Sequence, residues 1–244
     1  MNLIKRIENK IRWIKQKNKL KKDFENQFEV FANGNIRSFD LKLEDAKFYN
    51  ERTLTTNFDA HYIYHPAWAA RIVKKINPEF HIDISSTLHF CSQLSAFIPV
   101  RFYDYRPALL TLDQLTCERA DLTNLHFETE SFNSLSCMHT IEHIGLGRYG
   151  DPLDVNGDVK AINELKRVVK IGGNLLIVVP IGKPRIVFNA HRIYSPKMII
   201  DEMQGFKLEN FAFVNDKNDF FSNANLNDAN EEDYGCGCFW FIKK

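Results

Sequence analysis

The residues of this sequence best suited to chemistry are two histidines and a glutamate that directly follow an apolar segment. His139, Glu142 and His143 stand at positions i, i+3 and i+4, and a helix beginning at His139 would carry all three on one face. Another histidine, His191, follows a later apolar segment. Imidazole and carboxylate groups placed together can bind a metal ion, transfer a proton or simply hold a helix against its neighbours.

Three interpretations of this cluster remain open. His139, Glu142, His143 and His191 would together form a divalent-metal site, whose nitrogen and oxygen ligands suit Zn, Mn or Fe(II) better than Mg. Alternatively the histidines are catalytic residues around a substrate. His139 or His143 would then be a general base whose pKa the neighbouring carboxylate holds near neutral. In the third interpretation Glu142 and His143 only fix the start of a helix. The spacing also occurs in inverted zinc proteases, but the glycines from Gly145 onward leave no room for the long helix that they need.

Apolar segments alternate with helical patterns along most of the chain. The sequence predicts strands at 80–84, 100–103, 119–121, 134–138, 175–179, 206–214 and 235–242, and helices from 66, at 88–98, 109–115 and 158–170, and from 196. Strands that alternate with helices form a parallel sheet covered on both faces. The last two strands have no helix between them. We therefore expect an α/β fold with a Rossmann-like, mostly parallel seven-stranded sheet, helices on both faces and an antiparallel C-terminal hairpin.

Acidic and hydroxyl residues stand at the ends of the first three predicted strands. Asp83 lies near the end of the first and Ser85 directly follows it, Asp104 directly follows the second, and Asp121 is the last residue of the third. Ligands of such sheets bind beyond the carboxyl ends of the strands, and an acid at about the spacing of Asp104 accepts hydrogen bonds from ribose hydroxyls. No glycine lies between Gly34 and Gly145, which excludes a glycine-rich phosphate loop in that span. The order of acids indicates an adenosine-containing ligand.

Two segments, "FNSLSCMHTIEHIG" and "AINELKRVVKIGGNLLIVVP", resemble the class I S-adenosylmethionine-dependent methyltransferases. The resemblance covers about 160 residues from Phe80 to the end. It implies that Asp83 and Ser85 border the methionine end of S-adenosylmethionine, that Asp104 contacts its ribose and Asp121 its adenine, and that Met138 is a further cofactor contact.

Two other segments, "GKPRIVFNAHRIYS" and "YGCGCFWF", are similar to a family of unknown function, many of whose members occur among surface-polysaccharide functions. This implies an O-methyltransferase acting on a sugar hydroxyl of a glycan or lipid-linked glycan intermediate, or on another small hydroxylated acceptor. Glu142, His143 and His191 also resemble the site of metal-dependent methyltransferases of small-RNA ends and ubiquinone synthesis, which implies a divalent metal as a second cofactor. His139 departs from that pattern, where the family has glutamate.

The first loop departs from the superfamily. Ser85, Ser86 and Thr87 stand where a glycine-rich loop is usual, and glycine permits a positive φ and close approach to a ligand. The alternative function is therefore a non-catalytic, methyltransferase-like binding protein.

The N-terminal segment differs in charge from the rest of the chain. Residues 1–22 contain nine Lys or Arg and one acid, a charge of +8, so the remainder carries −7. Ile4, Ile7, Ile11 and Ile14 recur at helical spacing there. We expect a basic amphipathic helix that either docks on an anionic membrane surface or packs its isoleucines on the domain or on a second copy. We expect no nucleic acid partner, because the rest of the chain is acidic overall and does not extend the basic surface of this helix.

These patterns divide the chain into a basic helix at 1–22, a helical and irregular cap at 23–78, and a methyltransferase-like core at 79–244. The five cysteines are odd in number and form no Cys-x-x-Cys pair, which is typical of free thiols in a reducing cytosol. Cys236 and Cys238 flank Gly237 and are expected to be buried thiols. No signal peptide or membrane span is recognisable. We expect a cytoplasmic protein, peripheral to the inner face of the membrane.

Overall fold

The computed structural model describes residues 3–35, 37–49 and 51–244. They form two compact units, the first ending at Asn57 and the second beginning at Phe58. The first unit contains helix α1 (Leu3–Asn33), which continues past residue 22, and a short 3-10 helix at Leu43–Asp45. The division predicted from the sequence at residues 22 and 78 stays a prediction.

Helix α1 exposes its apolar stripe. Ile7, Ile11 and Ile14 are 51%, 49% and 42% exposed. The predicted members of the stripe at Leu3 and Ile4 have side chains outside the described residues, as do Met1 and Asn2 altogether. No helix of the described ranges has both the length and the hydropathy of a membrane span.

The second unit is built around one sheet whose strand order is β3-β2-β1-β4-β5-β10-β8-β9. The first five strands of that order are parallel to one another, and β10 is antiparallel to both β5 and β8. The predicted fold class is confirmed, with the two-residue β9 as a short eighth strand. The strands are β1 (His81–Ile84), β2 (Val100–Asp104), β3 (Leu115–Arg119), β4 (Phe132–Met138), β5 (Val169–Ile181), β8 (Phe206–Val214), β9 (Phe220–Phe221) and β10 (Gly235–Lys243), while β6 (Arg185–Val187) and β7 (His191–Ile193) form a separate hairpin.

Helices cover both faces of the sheet, and strand β5 shows why. Its Leu175, Ile177 and Val179 belong to one hydrophobic cluster, while Leu176 and Val178 belong to the other. Successive side chains of a strand point to opposite faces, so a strand that is apolar at every position must be covered twice. Helix α4 (Gly157–Val168) contributes to the first cluster, and α2 (Ala60–Ile76) and α3 (Leu88–Leu94) contribute to the second. Helix α5 (Pro196–Glu202) also packs into the first cluster.

Helix α2 begins six residues before the predicted start at Pro66. Asp59 caps it by accepting a hydrogen bond from the Tyr62 amide at 3.2 Å. Proline is common in the first turn of a helix, which is why the pattern suggested Pro66 as the start. The interior proline loses one backbone hydrogen bond, but burial of the apolar Trp68 and Ile72 in the following turns stabilises the helix.

The helix predicted over 109–115 is wrong, and so is the position of the third strand. Leu109 is fully exposed, and the chain from residue 107 to 114 is irregular before β3 begins at Leu115. The apolar residues of that segment therefore do not share a face. Likewise, α4 ends at Val168 and β5 begins at the next residue, so Gly172 lies inside the strand rather than after the helix. Its φ of 74° accompanies an irregularity in the β4–β5 register.

Gly237 in β10 supports a first prediction. A Cβ atom there would lie 2.6 Å from Ile181 Cγ2 and 2.9 Å from Phe239 Cε2, which is closer than side chains pack. We expect Gly237→Ala to lower the free energy of unfolding by about 1–3 kcal/mol, the usual cost of overpacking, in urea titrations followed by tryptophan fluorescence. At Gly34 an added Cβ meets only backbone oxygens at 3.6 and 3.8 Å, so Gly34→Ala is the matched control. An unchanged transition for Gly237→Ala would contradict this account of the packing.

Candidate active site

A large cavity opens at the carboxyl ends of β1 and β4. The strand order reverses between these two strands, and open α/β sheets bind ligands at such a switch point. This main cavity has a volume of about 880 Å³, within the range of small-molecule sites. It is lined by Phe58, Asp59, Ala60, His61, Tyr62, Ser85, Ser86, Thr87, Met138, His139, Glu142, His143, Arg148, Tyr149, Ala190, His191, Asn215, Asp216, Asn218 and Tyr234.

Glu142 lies at the centre of the predicted histidine cluster. Its Oε1 atom lies 2.9 Å from His139 Nδ1 and 3.9 Å from His143 Nε2. Its side chain is only 1% exposed, and Oε2 has no hydrogen-bond partner. The carboxylate therefore joins the two histidines that the sequence singled out.

The sequence suggested that one helix face carries the cluster, and this expectation is wrong. His139 has a φ of 54°, in the left-handed region, and its amide donates to the Val178 carbonyl at 2.8 Å. Only Ile141–His143 forms a 3-10 helix. The turn between β4 and this 3-10 helix brings His139 back over Glu142.

His139 and Cys236 form a second contact of this cluster. His139 Nε2 lies 3.3 Å from Cys236 Sγ. Burial acts to lower the pKa of His139, but the contacts with Cys236 and Glu142 raise it. Burial also raises the pKa of the Cys236 thiol, which favours its neutral form. The negative charge that raises the pKa of His139 therefore comes from Glu142.

His143 and His191 are neutral at physiological pH. Burial lowers the pKa of both rings. His143 Nδ1 donates to the Ala190 carbonyl at 2.6 Å, which leaves Nε2 unprotonated and able to accept a proton. The two rings lie 6.5 Å apart. The structure thus brings all three predicted catalytic histidines, His139, His143 and His191, to one cavity.

The structure does not gather the four predicted metal ligands around one point. Among the residues that the structure describes, one group of three or more His, Cys, Asp or Glu ligand atoms lies within 4.8 Å of one another, and it consists of His61, His139 and Cys236. It shares only His139 with the predicted set of His139, Glu142, His143 and His191. His143 commits Nδ1 to a backbone carbonyl, and the turn at Glu142 separates it from His139.

The serine loop after β1 is tied to the exit of β4. Ser85 takes a φ of 58°, the conformation for which glycine is usual. Its carbonyl accepts from Thr140 Oγ1 at 2.8 Å, and the Met138 amide donates to Ser86 Oγ at 3.0 Å. Ser85 and Met138, both predicted cofactor contacts, line the main cavity. The hydroxyl groups therefore stabilise a loop shape that glycine would adopt without them.

Asp83 does not line the cavity, contrary to expectation. It is fully buried, and it accepts hydrogen bonds from Ser136 Oγ and from the Ser86 amide. His81 continues this network, since its ring nitrogens contact Ser134 Oγ at 2.7 Å and Ser136 Oγ at 2.8 Å. Burial raises the pKa of Asp83 to about 6 and lowers that of His81 to about 3. His81 lies two residues before Asp83 and therefore on the same face of β1. A second polar side chain on that face was the sequence signal for a buried polar network at Asp83.

A second cavity of about 430 Å³ lies beside the first. Ser85 and Tyr149 line both, and Asp121 lines the second. Asp121 Oδ1 accepts from the Thr123 amide at 2.8 Å. Asp104 lines neither cavity, and its Oδ1 accepts from the Arg106 amide at 2.7 Å. Of the three aspartates predicted to contact the cofactor, Asp83, Asp104 and Asp121, the structure brings only Asp121 to a cavity wall.

Arg192, in strand β7, is a buried cation behind the main cavity. Its guanidinium donates to the Ile144 carbonyl at 2.6 Å, and it lies 3.5 Å from Asp158. Tyr194 donates to the same carboxylate at 3.0 Å. These contacts fix the segment from residue 144 to 158, which carries Tyr149, against strand β7.

Sequence reasoning did not identify the aromatic wall of the main cavity. Tyr62, Tyr149 and Tyr234 line it together with Asp59 and Asp216. Tyr62 stacks on His139 at a ring distance of 5.3 Å. The available sequence signals were the long Asn- and Asp-rich segment between β8 and β10, which ends at Tyr234, and the adjacent His61 and Tyr62.

The protein was compared with known families and structures. Residues 114–234, slightly less than half of the chain, match the family described as Caenorhabditis protein of unknown function, DUF268. No protein of curated function matches the sequence.

Solved structures share the fold. A putative methyltransferase from Bacillus halodurans is 16% identical with a TM-score of 0.51, over 72% of this chain and 97% of that one. A TehB-like SAM-dependent methyltransferase from Corynebacterium glutamicum is 17% identical, with a TM-score of 0.48 over 72% and 88% of the two chains. A SAM-dependent methyltransferase from Thermotoga maritima, described as a possible histamine N-methyltransferase, is 17% identical, with a TM-score of 0.46 over 76% and 92%. The first likeness shows that this chain has the Rossmann-like fold of a methyltransferase. The predicted link to surface polysaccharides stays a prediction.

The buried Asp83 gives a prediction on stability and pH. Its pKa is about 6 in the folded protein against 3.8 for an exposed aspartate, so the native state binds this proton more tightly than the unfolded state does. The contribution of this protonated carboxyl to stability is fully present below about pH 4 and is lost as the pH rises through 6, by roughly 3 kcal/mol. In Asp83→Asn the amide can donate to Ser136 and still accept from Ser86. We expect the variant to gain stability relative to the native chain between pH 4.5 and 7.5 in urea titrations.

The control for this pH series is Asp113→Asn, because Asp113 is exposed. The difference between this variant and the native chain should not change with pH. A difference between Asp83→Asn and the native chain that was equally independent of pH would contradict the raised pKa.

Proposed function

We propose that this protein is an S-adenosylmethionine-dependent O-methyltransferase that acts on a sugar hydroxyl of a glycan or lipid-linked glycan intermediate. The observation that carries the proposal is the pair of adjoining cavities at the switch point of a methyltransferase fold. Together their walls include Ser85, Met138 and Asp121, three of the residues that the resemblance assigned to the cofactor. The volumes leave room for a nucleoside in the second cavity and for its methionine end and an acceptor in the main one.

The residues fit this cofactor chemically. Ser85 and Tyr149 form the boundary between the cavities, where the ribose would pass. S-adenosylmethionine supplies a methyl group on a sulfonium, so that the acceptor oxygen forms a C–O bond while the S–C bond breaks. Such a displacement is governed mainly by the positioning of the reacting atoms.

His143 is the residue that we assign to proton removal. Its Nδ1–H is held by the Ala190 carbonyl, so Nε2 is the free basic atom and would take the hydroxyl proton of the acceptor. The lowered pKa keeps the ring neutral near pH 7, which is the form that a general base needs. His139 and His191 line the same cavity and would position the acceptor.

The lining of the main cavity supports a sugar as acceptor. Tyr62, Tyr149 and Tyr234 offer aromatic faces, and Asp59 and Asp216 offer carboxylates. Aromatic faces pack against the apolar face of a sugar ring, and carboxylates accept hydrogen bonds from its hydroxyls.

Cofactor binding is the first test. Calorimetric titration with S-adenosylmethionine and S-adenosylhomocysteine should give one site per chain. Asp121→Arg puts a long cationic side chain into the second cavity and should weaken binding at least tenfold, about 1.4 kcal/mol. Asp113→Arg, an exposed acid outside both cavities, should bind like the native chain. If neither ligand gave heat, the alternative of a non-catalytic binding protein on this fold would replace the proposal.

Methyl transfer is the second test. With labelled S-adenosylmethionine and a panel of hexose phosphates and nucleotide hexoses, His143→Ala should lower kcat by about 10²–10⁴-fold, the usual contribution of a general base. Its affinity for S-adenosylhomocysteine should stay unchanged. His126→Ala, an exposed histidine outside the main cavity, is the control. Equal loss of kcat in both variants would remove His143 from the mechanism.

We also propose that α1 docks the protein on the anionic, cytoplasmic face of a membrane, near a lipid-linked acceptor. The charge of +8 over residues 1–22 and the exposed Ile7, Ile11 and Ile14 support this. Basic residues near an anionic surface contribute about 1 kcal/mol each, and exposed isoleucines gain by entering the headgroup boundary.

Liposome flotation tests the docking. The triple variant Ile7→Gln, Ile11→Gln and Ile14→Gln keeps the charge and should bind vesicles containing anionic lipid at least tenfold more weakly, because the apolar stripe is lost. Val30→Gln is the matched control, since Val30 is exposed on the same helix but about 130° around its axis from the stripe. Equal flotation of the native chain and the triple variant would exclude the membrane role.

A further inference from the structure

Three side chains from separate elements bring nitrogen and sulfur atoms together at the floor of the main cavity. His61 lies in the first turn of α2, His139 in the turn after β4, and Cys236 in β10. Their ligand atoms lie within 4.8 Å of one another, and His139 Nε2 is 3.3 Å from Cys236 Sγ. In a tetrahedral zinc site, bonds of about 2.0 Å to nitrogen and 2.3 Å to sulfur set the two atoms about 3.5 Å apart. The His139–Cys236 pair already has about this spacing, and His61, whose ligand atom lies within 4.8 Å of both, moves closer to complete the site.

The surroundings orient these rings as they do in known metal sites. His139 Nδ1 donates to Glu142 Oε1 at 2.9 Å, which leaves Nε2 as the lone-pair nitrogen facing the sulfur. Metal-bound histidines almost always make such an outer contact with a carboxylate or a carbonyl. The neighbouring His65 makes a similar contact with a carbonyl, because its Nδ1 donates to the His61 carbonyl at 2.7 Å.

Two buried polar atoms beside the cluster have no hydrogen-bond partner among the residues that the structure describes. They are Glu142 Oε2 and His65 Nε2, on side chains that are 1% and 0% exposed. The rings of His65 and His139 lie 5.0 Å apart. A buried carboxylate without a cation is costly. A divalent ion with the Cys236 thiolate and the Glu142 carboxylate beside it gives a neutral assembly.

We propose that His61, His139 and Cys236 bind a zinc ion, with Glu142 as the outer carboxylate that orients His139. A thiolate and two imidazoles favour Zn²⁺ over Mg²⁺ or Ca²⁺, which prefer oxygen ligands. Binding displaces the thiol proton to solvent as the Zn–S bond forms. This set replaces the four ligands that the sequence suggested.

Three protein ligands leave a fourth coordination position. His61 and His139 line the main cavity, so this position faces the space assigned to the acceptor. An ion there would bind a water or hydroxyl oxygen and lower its pKa. Zinc binding does not depend on methyl transfer, whereas this use of the ion rests on the proposed function.

Zinc titration of the tag-free full-length chain tests the site. After dialysis against a chelator, the chain should bind one Zn²⁺ in competition with a chromophoric chelator. His61→Ala and Cys236→Ala should each weaken binding by about 100-fold or more, since each removes a ligand. Glu142→Gln should weaken it by about 10–100-fold, as outer-contact changes do. Cys238→Ala is the matched control, because Cys238 is equally buried two residues further along β10, and it should bind like the native chain.

The cobalt form separates ligand loss from misfolding. A thiolate-to-cobalt absorption band should appear in the native chain and in Cys238→Ala, and should be absent in Cys236→Ala. His61 is only partly buried, so His61→Ala keeps the test decisive if Cys236→Ala does not fold. No bound Zn²⁺, or native affinity in both ligand variants, would overturn the proposal and leave a His139–Glu142 ion pair in its place. A chain that binds zinc but gives no heat with S-adenosylmethionine would support the site and refute only the proposed function.

Discussion

The active-site end of this protein depends on one buried carboxylate. Glu142 is almost fully enclosed, and within the described ranges its ion-pair contacts are with His139 and His143 alone. An isolated buried charge is too costly to persist, so positive charge must gather around it, as a proton on an imidazole or as an ion. This requirement holds His139 over the turn after β4, sets its free nitrogen against Cys236, and keeps His143 within reach. The geometry of the site follows from that electrostatic demand.

The sheet places this carboxylate where a ligand can use it. The strand order reverses between β1 and β4, so the helices that follow these strands lie on opposite faces and leave a crevice between them. Glycine residues could shape the floor of such a crevice without help from side chains. Here the hydroxyls of Ser86 and Thr140 supply hydrogen bonds that hold Ser85 in a left-handed conformation. Side-chain hydrogen bonding thus compensates for the conformational freedom that glycine would give.

The sequence was most informative where a pattern had one physical solution. Strand β5 is apolar at every position from Leu175 to Val179, so a buried central strand was the only fit, and β8 was located to the residue. The helix prediction for 109–115 was wrong because leucines at every third position fit two structures. They fit a helix, and they also fit a loop whose last leucine, Leu115, begins strand β3. The joining of His139 to Cys236 could not be foreseen, since the two residues are 97 positions apart and the contact exists only after the sheet forms. Asp83 looked like a cavity residue because the sequence marks the strand end but not the face.

Arg192 has a consequence for how ligands enter. Its buried guanidinium joins strand β7 to the segment that carries Tyr149, and Tyr149 forms part of the partition between the two cavities. A partition braced in this way loses little conformational entropy when it is contacted, which favours affinity for molecules of matching outline.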